Sequence, residues 1–213
     1  MTAPARDLSP LKGLYLILDE RAARGRLLVE VLREAAAAGV RLFQYRIKAA
    51  SGAEAYRQAL QLREAAAEAG ALFLVNDRCD LALAVGADGV HLGQEDLPLA
   101  MARRILGPGK VIGISTHRAD QVIEADRGGA DYIGFGPIFP TASKADHEPV
   151  VGVEGLRTVR PLTRLPIFAI GGISVETVEA VINAGADGVA VISAVLGAAD
   201  IAAAVRPLLS RFR

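Results

Sequence analysis

A short phrase that returns along the chain does more than any other feature to restrict its fold. Gly86-Ala87-Asp88-Gly89-Val90 recurs as Gly185-Ala186-Asp187-Gly188-Val189, with Gly129-Ala130-Asp131-Tyr132-Ile133 as a looser copy. Each reads as a helix end, a glycine turn and the start of a strand, because glycine leaves a helix at positive φ without a Cβ clash. Short aliphatic runs mark eight candidate strands, at 14–18, 41–47, 71–75, 89–92, 111–114, 132–135, 166–170 and 188–192. Stretches rich in Ala, Leu, Glu and Arg separate them, as at 27–38 and 52–69, with apolar residues at three- and four-residue spacing. Repeated β-α units predict an α/β chain built on a parallel sheet. Eight units predict a single (β/α)8 TIM barrel over residues 1–213, with 1–10 as a flexible leader. A doubly wound open sheet shares the alternation, but no G-x-G-x-x-G follows the first strand.

Hydrophobic residues make up 52% of the chain and aromatics only 5%, so the core is expected to be aliphatic rather than built on ring packing. The 24 Lys and Arg balance the 24 Asp and Glu, and no basic run argues for a nucleic-acid partner. Any anionic ligand must therefore be held locally. The one cysteine, Cys79, has no mate for a disulfide, and no Cys/His spacing suggests zinc. No stretch approaches the ~20 apolar residues of a membrane span, and the N-terminus lacks a signal-peptide pattern. A soluble, cytoplasmic protein is expected, with homo-oligomerisation left open.

In such a barrel the site is built from strand C-termini and the loops after them. The second strand is the most informative there. Alternation puts Gln44, Arg46 and Lys48 on one face, into the barrel mouth, and Phe43, Tyr45 and Ile47 against the helices. A salt-bridged strand end would explain the cations, but inward charges call for anionic partners, since an unpaired buried charge is costly. Asn76-Asp77 follows the third strand and Gln94-Glu95-Asp96 the fourth, so Asp77 and Asp96 form a candidate Mg²⁺ pair beside the cations. Turn and N-cap roles would serve the same residues. Gly171-Gly172-Ile173-Ser174 after strand seven and Ile192-Ser193-Ala194 after strand eight precede helices, where free N–H groups suit a phosphate. Ser115 ends strand five, and Pro140-Thr141-Ala142-Ser143-Lys144 follows strand six, with hydroxyls and a cation for a ligand. His91 reads as a hydrogen-bonded core histidine, His117 as an acid/base or supporting group, and His147 as a loop residue.

These strand ends, taken in order, resemble one family. Gln44-Tyr45-Arg46-Ile47-Lys48, Val75-Asn76-Asp77, His91-Leu92-Gly93-Gln94-Glu95-Asp96, Gly113-Ile114-Ser115-Thr116-His117, Gly136-Pro137-Ile138-Phe139-Pro140-Thr141 with Lys144, and Gly171-Gly172-Ile173 resemble the thiamine-phosphate synthase family in order and spacing. The resemblance implies Mg²⁺-dependent joining of a hydroxymethylpyrimidine diphosphate to a thiazole phosphate, with release of diphosphate, and with CO2 loss for a carboxylated thiazole. It implies pyrimidine-diphosphate contacts at Gln44, Arg46, Lys48, Asn76, Ser115 and Lys144, within a substrate-binding strand end that also includes Tyr45 and Ile47. Arg46, Lys48, Ser115 and Lys144 take the catalytic roles and Asp77 and Asp96 the metal. Thiazole-phosphate contacts fall on Thr141, Ala142, Ser143, Gly171, Gly172, Ile192 and Ser193. Ser143 departs from the family's common Thr-x-Thr-Lys, keeping the hydroxyl, and 145–151 is less typical of the family.

Other readings stay open on the residues alone. A thiazole tautomerase would lean on acid/base chemistry, with His117 the residue to watch, and has no diphosphate to hold. A non-catalytic phosphate-metabolite binding protein would bind both ligands and form no product. A sugar-phosphate epimerase or isomerase barrel would leave the second anion site unexplained.

Overall fold

The computed structural model describes residues 11–47, 50–141 and 148–212. Its strands are β1 Gly13–Asp19, β2 Leu42–Arg46, β3 Leu72–Asn76, β4 Gly89–Leu92, β5 Val111–Thr116, β6 Tyr132–Phe135, β7 Ile167–Ile170 and β8 Gly188–Val191. Each pairs in parallel with the next, and β8 returns to β1 with Gly13 opposite Gly188, so the sheet is a closed barrel. The expected eight strands are all present, β4 and β6 with the expected ends and the others with ends moved by one or two residues. The largest shift is at β5, which runs on through Ser115 to Thr116 and so carries Ser115 as a strand residue.

Helices α1 Glu20–Ala23, α2 Leu28–Ala37, α3 Gly52–Glu68, α4 Cys79–Ala84, α5 Leu99–Leu106, α6 Ala119–Arg127, α7 Gly152–Val159, α8 Val178–Asn183, α9 Ser193–Leu196 and α10 Ile201–Leu209 lie in the connections and after β8. The long α3 shows why these segments are helical. Ser51 caps it by accepting from the Glu54 N–H at 3.3 Å, and Ala55, Ala59, Leu62, Ala65 and Ala66 form the buried stripe that meets the sheet. Alanine on that stripe lets the helix approach closely. Among the described residues, no helix is long and apolar enough to cross a membrane.

The recurrent phrase has a definite structural job. Gly86, Gly129 and Gly185 take φ of +67, +80 and +101, as a helix-ending turn requires. The aspartate that follows then makes two reciprocal bonds to one residue of the preceding strand. Asp88 donates its N–H to the Phe73 carbonyl at 2.9 Å and accepts the Phe73 N–H on its carboxylate at 2.8 Å. Asp131 does the same to Ile112, at 2.8 and 2.8 Å, and Asp187 to Ile167, at 2.9 and 2.8 Å. Strands β3 and β4, β5 and β6, and β7 and β8 are thereby fastened at their N-terminal ends, away from the mouth. Arg103 adds an ion pair to Asp131, and Arg160 one to Asp187, each at 2.7 Å.

The barrel interior overturns one expectation from composition. Few aromatics occur, but Tyr15, Tyr132 and Phe168 meet inside the barrel with centroids 5.3 to 5.9 Å apart, all edge-to-face. Ring packing does centre the interior, and the layer between sheet and helices is not purely aliphatic either, since Phe43 and Tyr45 are buried there among its aliphatic side chains. The rings need small neighbours. A Cβ on Gly113 would lie 2.0 Å from the Tyr132 ring, so only glycine fits that position of β5.

Candidate active site

At the C-terminal ends of the strands the barrel opens on a cavity of about 370 Å³, counted out to solvent. Its polar lining comes from Tyr15 of β1, Gln44 and Arg46 of β2, Asn76 of β3, His91 of β4 and Ser115 of β5. Period-two alternation puts them there: Tyr15 shares its face with Ile17, and Gln44 with Arg46, while the intervening side chains turn to the helices. Phe43 and Tyr45 are fully buried on that outer face, and the Tyr45 hydroxyl donates to Gln58 of α3. Of the substrate-binding residues expected on β2, Tyr45 thus keeps its side chain out of the cavity, and Ile47 packs against the core.

Arg46 does not stand alone. Its guanidinium donates to the carboxylate of Asp19 at the end of β1, opposite it in the strand register. Asp19 is only 6% exposed and also accepts the Ala22 N–H at 3.1 Å, capping α1. The cation is therefore held in place by a carboxylate that is itself fixed. Asp19 was not among the residues picked from the sequence, although its parity with Tyr15 and Ile17 at a strand C-terminus would have marked it.

A continuous line of hydrogen bonds crosses the floor of the cavity. Gln44 Nε2 donates to the Tyr15 hydroxyl at 2.6 Å, and that hydroxyl lies 2.9 Å from the hydroxyl of Tyr132. The Tyr132 hydroxyl is 2.8 Å from His91 Nδ1, and His91 Nε2 is 2.9 Å from Ser115 Oγ. Burial pushes both phenols well above their ordinary pKa, so both are neutral hydroxyls. His91 is thus a core histidine, as expected, and also a wall of the cavity. Tyr15 and Tyr132 were missed because a tyrosine inside an apolar run looks like core until its hydroxyl has a partner.

The acidic pair sits on the loops after β3 and β4, which are neighbours in the barrel. Asp77 has φ +62, a backbone conformation rare outside glycine, and donates its N–H to the His91 carbonyl at 2.9 Å. Asp96 curls back so that its carboxylate accepts the Gly93 N–H at 2.6 Å. Gln94 reaches across to the Ser115 carbonyl at 2.5 Å, tying the β4 loop to β5. No group of three or more His, Cys, Asp or Glu suited to a metal occurs among the described residues. Two carboxylates on adjacent loops are a donor set of the kind that Mg²⁺ takes, with water and substrate phosphate completing its shell.

On the far side, the segment after β6 is laid along the segment after β7. Ile138 and Phe139 donate to the carbonyls of Ile170 and Gly171 at 2.8 and 3.0 Å. Gly172, at φ +63, is pressed so close that a Cβ would lie 2.6 Å from the Pro140 carbonyl oxygen. The glycine doublet therefore sits against 137–140, the segment that leads into Thr141. Ile192 is buried and Ser193 is exposed at the first turn of α9. Lys48, Ala142, Ser143, Lys144 and His147 lie outside the described residues. His117 takes a structural place, with Nδ1 2.6 Å from the Gly136 carbonyl and its N–H given to Gln121. Cys79 is buried, and burial pushes its thiol up, which disarms it as a nucleophile.

Comparison with known proteins gives consistent relatives. Residues 14–195 match the family described as thiamine monophosphate synthase. A thiamine-phosphate synthase of Moorella thermoacetica is 48% identical over 93% of this chain and 95% of its own length. Another, from Chloroflexus aurantiacus, is 47% identical over 92% of this chain and 90% of its own. Among solved structures, a thiamine phosphate pyrophosphorylase from Pyrococcus furiosus superposes with TM-score 0.87 at 41% identity, covering 97% of this chain and 98% of that one. A 3-hexulose-6-phosphate synthase superposes with TM-score 0.70 at 21% identity, a likeness of fold alone.

Proposed function

This chain belongs to the thiamine monophosphate synthase family and is a transferase of that family, and from that premise we propose how its barrel mouth carries out the transfer. The reaction joins 4-amino-2-methyl-5-hydroxymethylpyrimidine diphosphate to 4-methyl-5-(2-phosphoethyl)thiazole, or to its carboxylated form with CO2 loss. The products are thiamine phosphate and diphosphate. The C–O bond between the pyrimidine methylene and the diphosphate breaks, and its electron pair leaves with the diphosphate. The electron-rich aminopyrimidine carries the positive charge left on the methylene, and the thiazole nitrogen donates its lone pair to form the new C–N bond.

The observation that carries this reading is that Gln44, Arg46, Asn76 and Ser115, from β2, β3 and β5, converge on one cavity. Arg46, Lys48 and Lys144 offset charge growing on the departing diphosphate, Gln44 and Asn76 orient the pyrimidine end, and Ser115 donates to it. Tyr45 and Ile47 contribute backbone. Asp77 and Asp96 would hold Mg²⁺, whose part is to supply countercharge to the diphosphate. Thr141, Ala142, Ser143, Gly171, Gly172, Ile192 and Ser193 take the thiazole phosphate, supported by the close packing of the glycine doublet against 137–140, which leads into Thr141. In this reading the chain acts as a single TIM-barrel domain.

The test is to incubate the purified protein with both substrates, with and without Mg²⁺, and assay thiamine phosphate and diphosphate. Product with metal and none after chelation is expected. Turnover untouched by chelation would remove the metal role, and thiazole isomerisation without coupling would favour a tautomerase. Arg46→Ala should slow turnover roughly ten- to a hundredfold, the value of one charge-assisted bond formed mainly in the transition state. Undiminished turnover in that variant would remove Arg46 from the mechanism.

A further inference from the structure

His91 and Ser115, at 2.9 Å, have the spacing of a base and the hydroxyl nucleophile it activates. The chain of bonds behind them points the other way. We infer that Gln44, Tyr15, Tyr132 and His91 form a hydrogen-bond relay of fixed direction, which makes His91 a donor to Ser115 and turns the Ser115 hydroxyl into a donor toward the bound substrate. The inference rests on the reading of Ser115 as a contact of the pyrimidine diphosphate.

The direction follows from counting protons. The Gln44 Nε2 group has hydrogens to give and no lone pair to offer, so Tyr15 must accept there. Tyr15 then directs its own proton to Tyr132, 2.9 Å away. Tyr132, having accepted, gives its proton to His91 Nδ1 at 2.8 Å. An Nδ1 that accepts leaves the ring proton on Nε2, and that proton goes to Ser115 Oγ. Ser115 has no need to donate to His91, so its proton is available to an acceptor in the cavity, a phosphate oxygen or a ring nitrogen. Gln44 and both tyrosines are nearly inaccessible to water, so solvent does not scramble the order, and among the described residues no buried side-chain nitrogen or oxygen lacks a partner.

Had Gln44 offered its carbonyl instead, every bond would reverse, Nδ1 would carry the proton, and Nε2 would accept from Ser115. That is the state in which serine attacks. The relay therefore keeps a serine–histidine pair from opening a covalent route and leaves direct attack of one substrate on the other as the path. Tyr15, Tyr132 and His91 are positioning residues in this scheme, acting through Ser115.

The test is ¹⁵N NMR of the full chain labelled at histidine. Only three histidines occur, and His91→Gln assigns the one that matters. His91 should be neutral with its proton on Nε2, while His117, whose Nδ1 faces the Gly136 carbonyl, should carry a proton on Nδ1 and serves as an internal contrast. Gln44→Glu, which presents only acceptor oxygens when ionised, should move the His91 proton to Nδ1. Tyr132→Phe should leave a mixture of tautomers and reduce kcat about tenfold, as for one lost hydrogen bond, with KM changed less. A wild-type His91 protonated on Nδ1, or on both nitrogens near neutral pH, would overturn the relay. The tautomer is read without turnover, so an inactive protein with the expected tautomer would sink the assigned reaction and leave the relay standing.

Discussion

Arg46 meets Asp19 where both side chains are shielded from water, at 14% and 8% exposure. Such a pair is a poor source of net stability, since desolvation offsets most of the attraction, yet removing one member strands the other. Asp19→Ala should therefore cost about 3–5 kcal/mol of unfolding free energy, measured by urea titration, a figure to be lowered where water reaches the orphaned guanidinium. A change below about 0.5 kcal/mol, as at an ordinary surface position, would mean that Asp19 does not hold Arg46. The pair also shows what single-residue reading can find. Gln44, Arg46 and Asn76 were legible because a polar residue on the inward parity of an apolar strand is conspicuous. Tyr15 and Tyr132 were not, since their hydroxyl partners come from strands far apart in sequence.

The βα unit is the scale at which the recurrent Gly-Ala-Asp phrase acquires a cause. Its aspartate closes a two-bond clasp on the preceding strand, and the three copies differ in shielding. Asp131 is 7% exposed and Asp187 44% exposed in their side chains. Asp131→Ala should thus cost about 2–3 kcal/mol, the penalty for leaving the Ile112 N–H and part of Arg103 without an acceptor, and Asp187→Ala about half as much. Urea midpoints of the two variants give the comparison, and equal losses would show that burial does not set the value of the clasp. The repeat was visible in the sequence as punctuation, helix end and strand start. Its hydrogen bonding was not, because the bonded residue lies 15 to 20 positions earlier. Helix and strand periodicity fixed the element order in the same way, leaving the ends open by one or two residues.

For the molecule as a whole, closure of the barrel places two tyrosines at its centre, and this gives stability an alkaline limit. Burial raises the pKa of Tyr15 and Tyr132 above that of the unfolded chain. The folded state then holds protons that the unfolded state releases. The stabilisation is full below about pH 10, the unfolded value, and is lost as pH rises toward the folded values, by about 1.4 kcal/mol per pH unit for each group. Burial raises Tyr45 as well, so urea midpoints at pH 9 and pH 11 should show the fall and Tyr132→Phe should flatten it by roughly a third; equal slopes in both proteins would remove Tyr132 as a source. Composition hid this interior, because a low aromatic count says nothing of where the rings gather. The aspartate clasps lie at the opposite end of the strands from the mouth. Variants can therefore try new rim residues, away from the Arg46–Asp19 pair, without breaking the clasps at the other end of the strands.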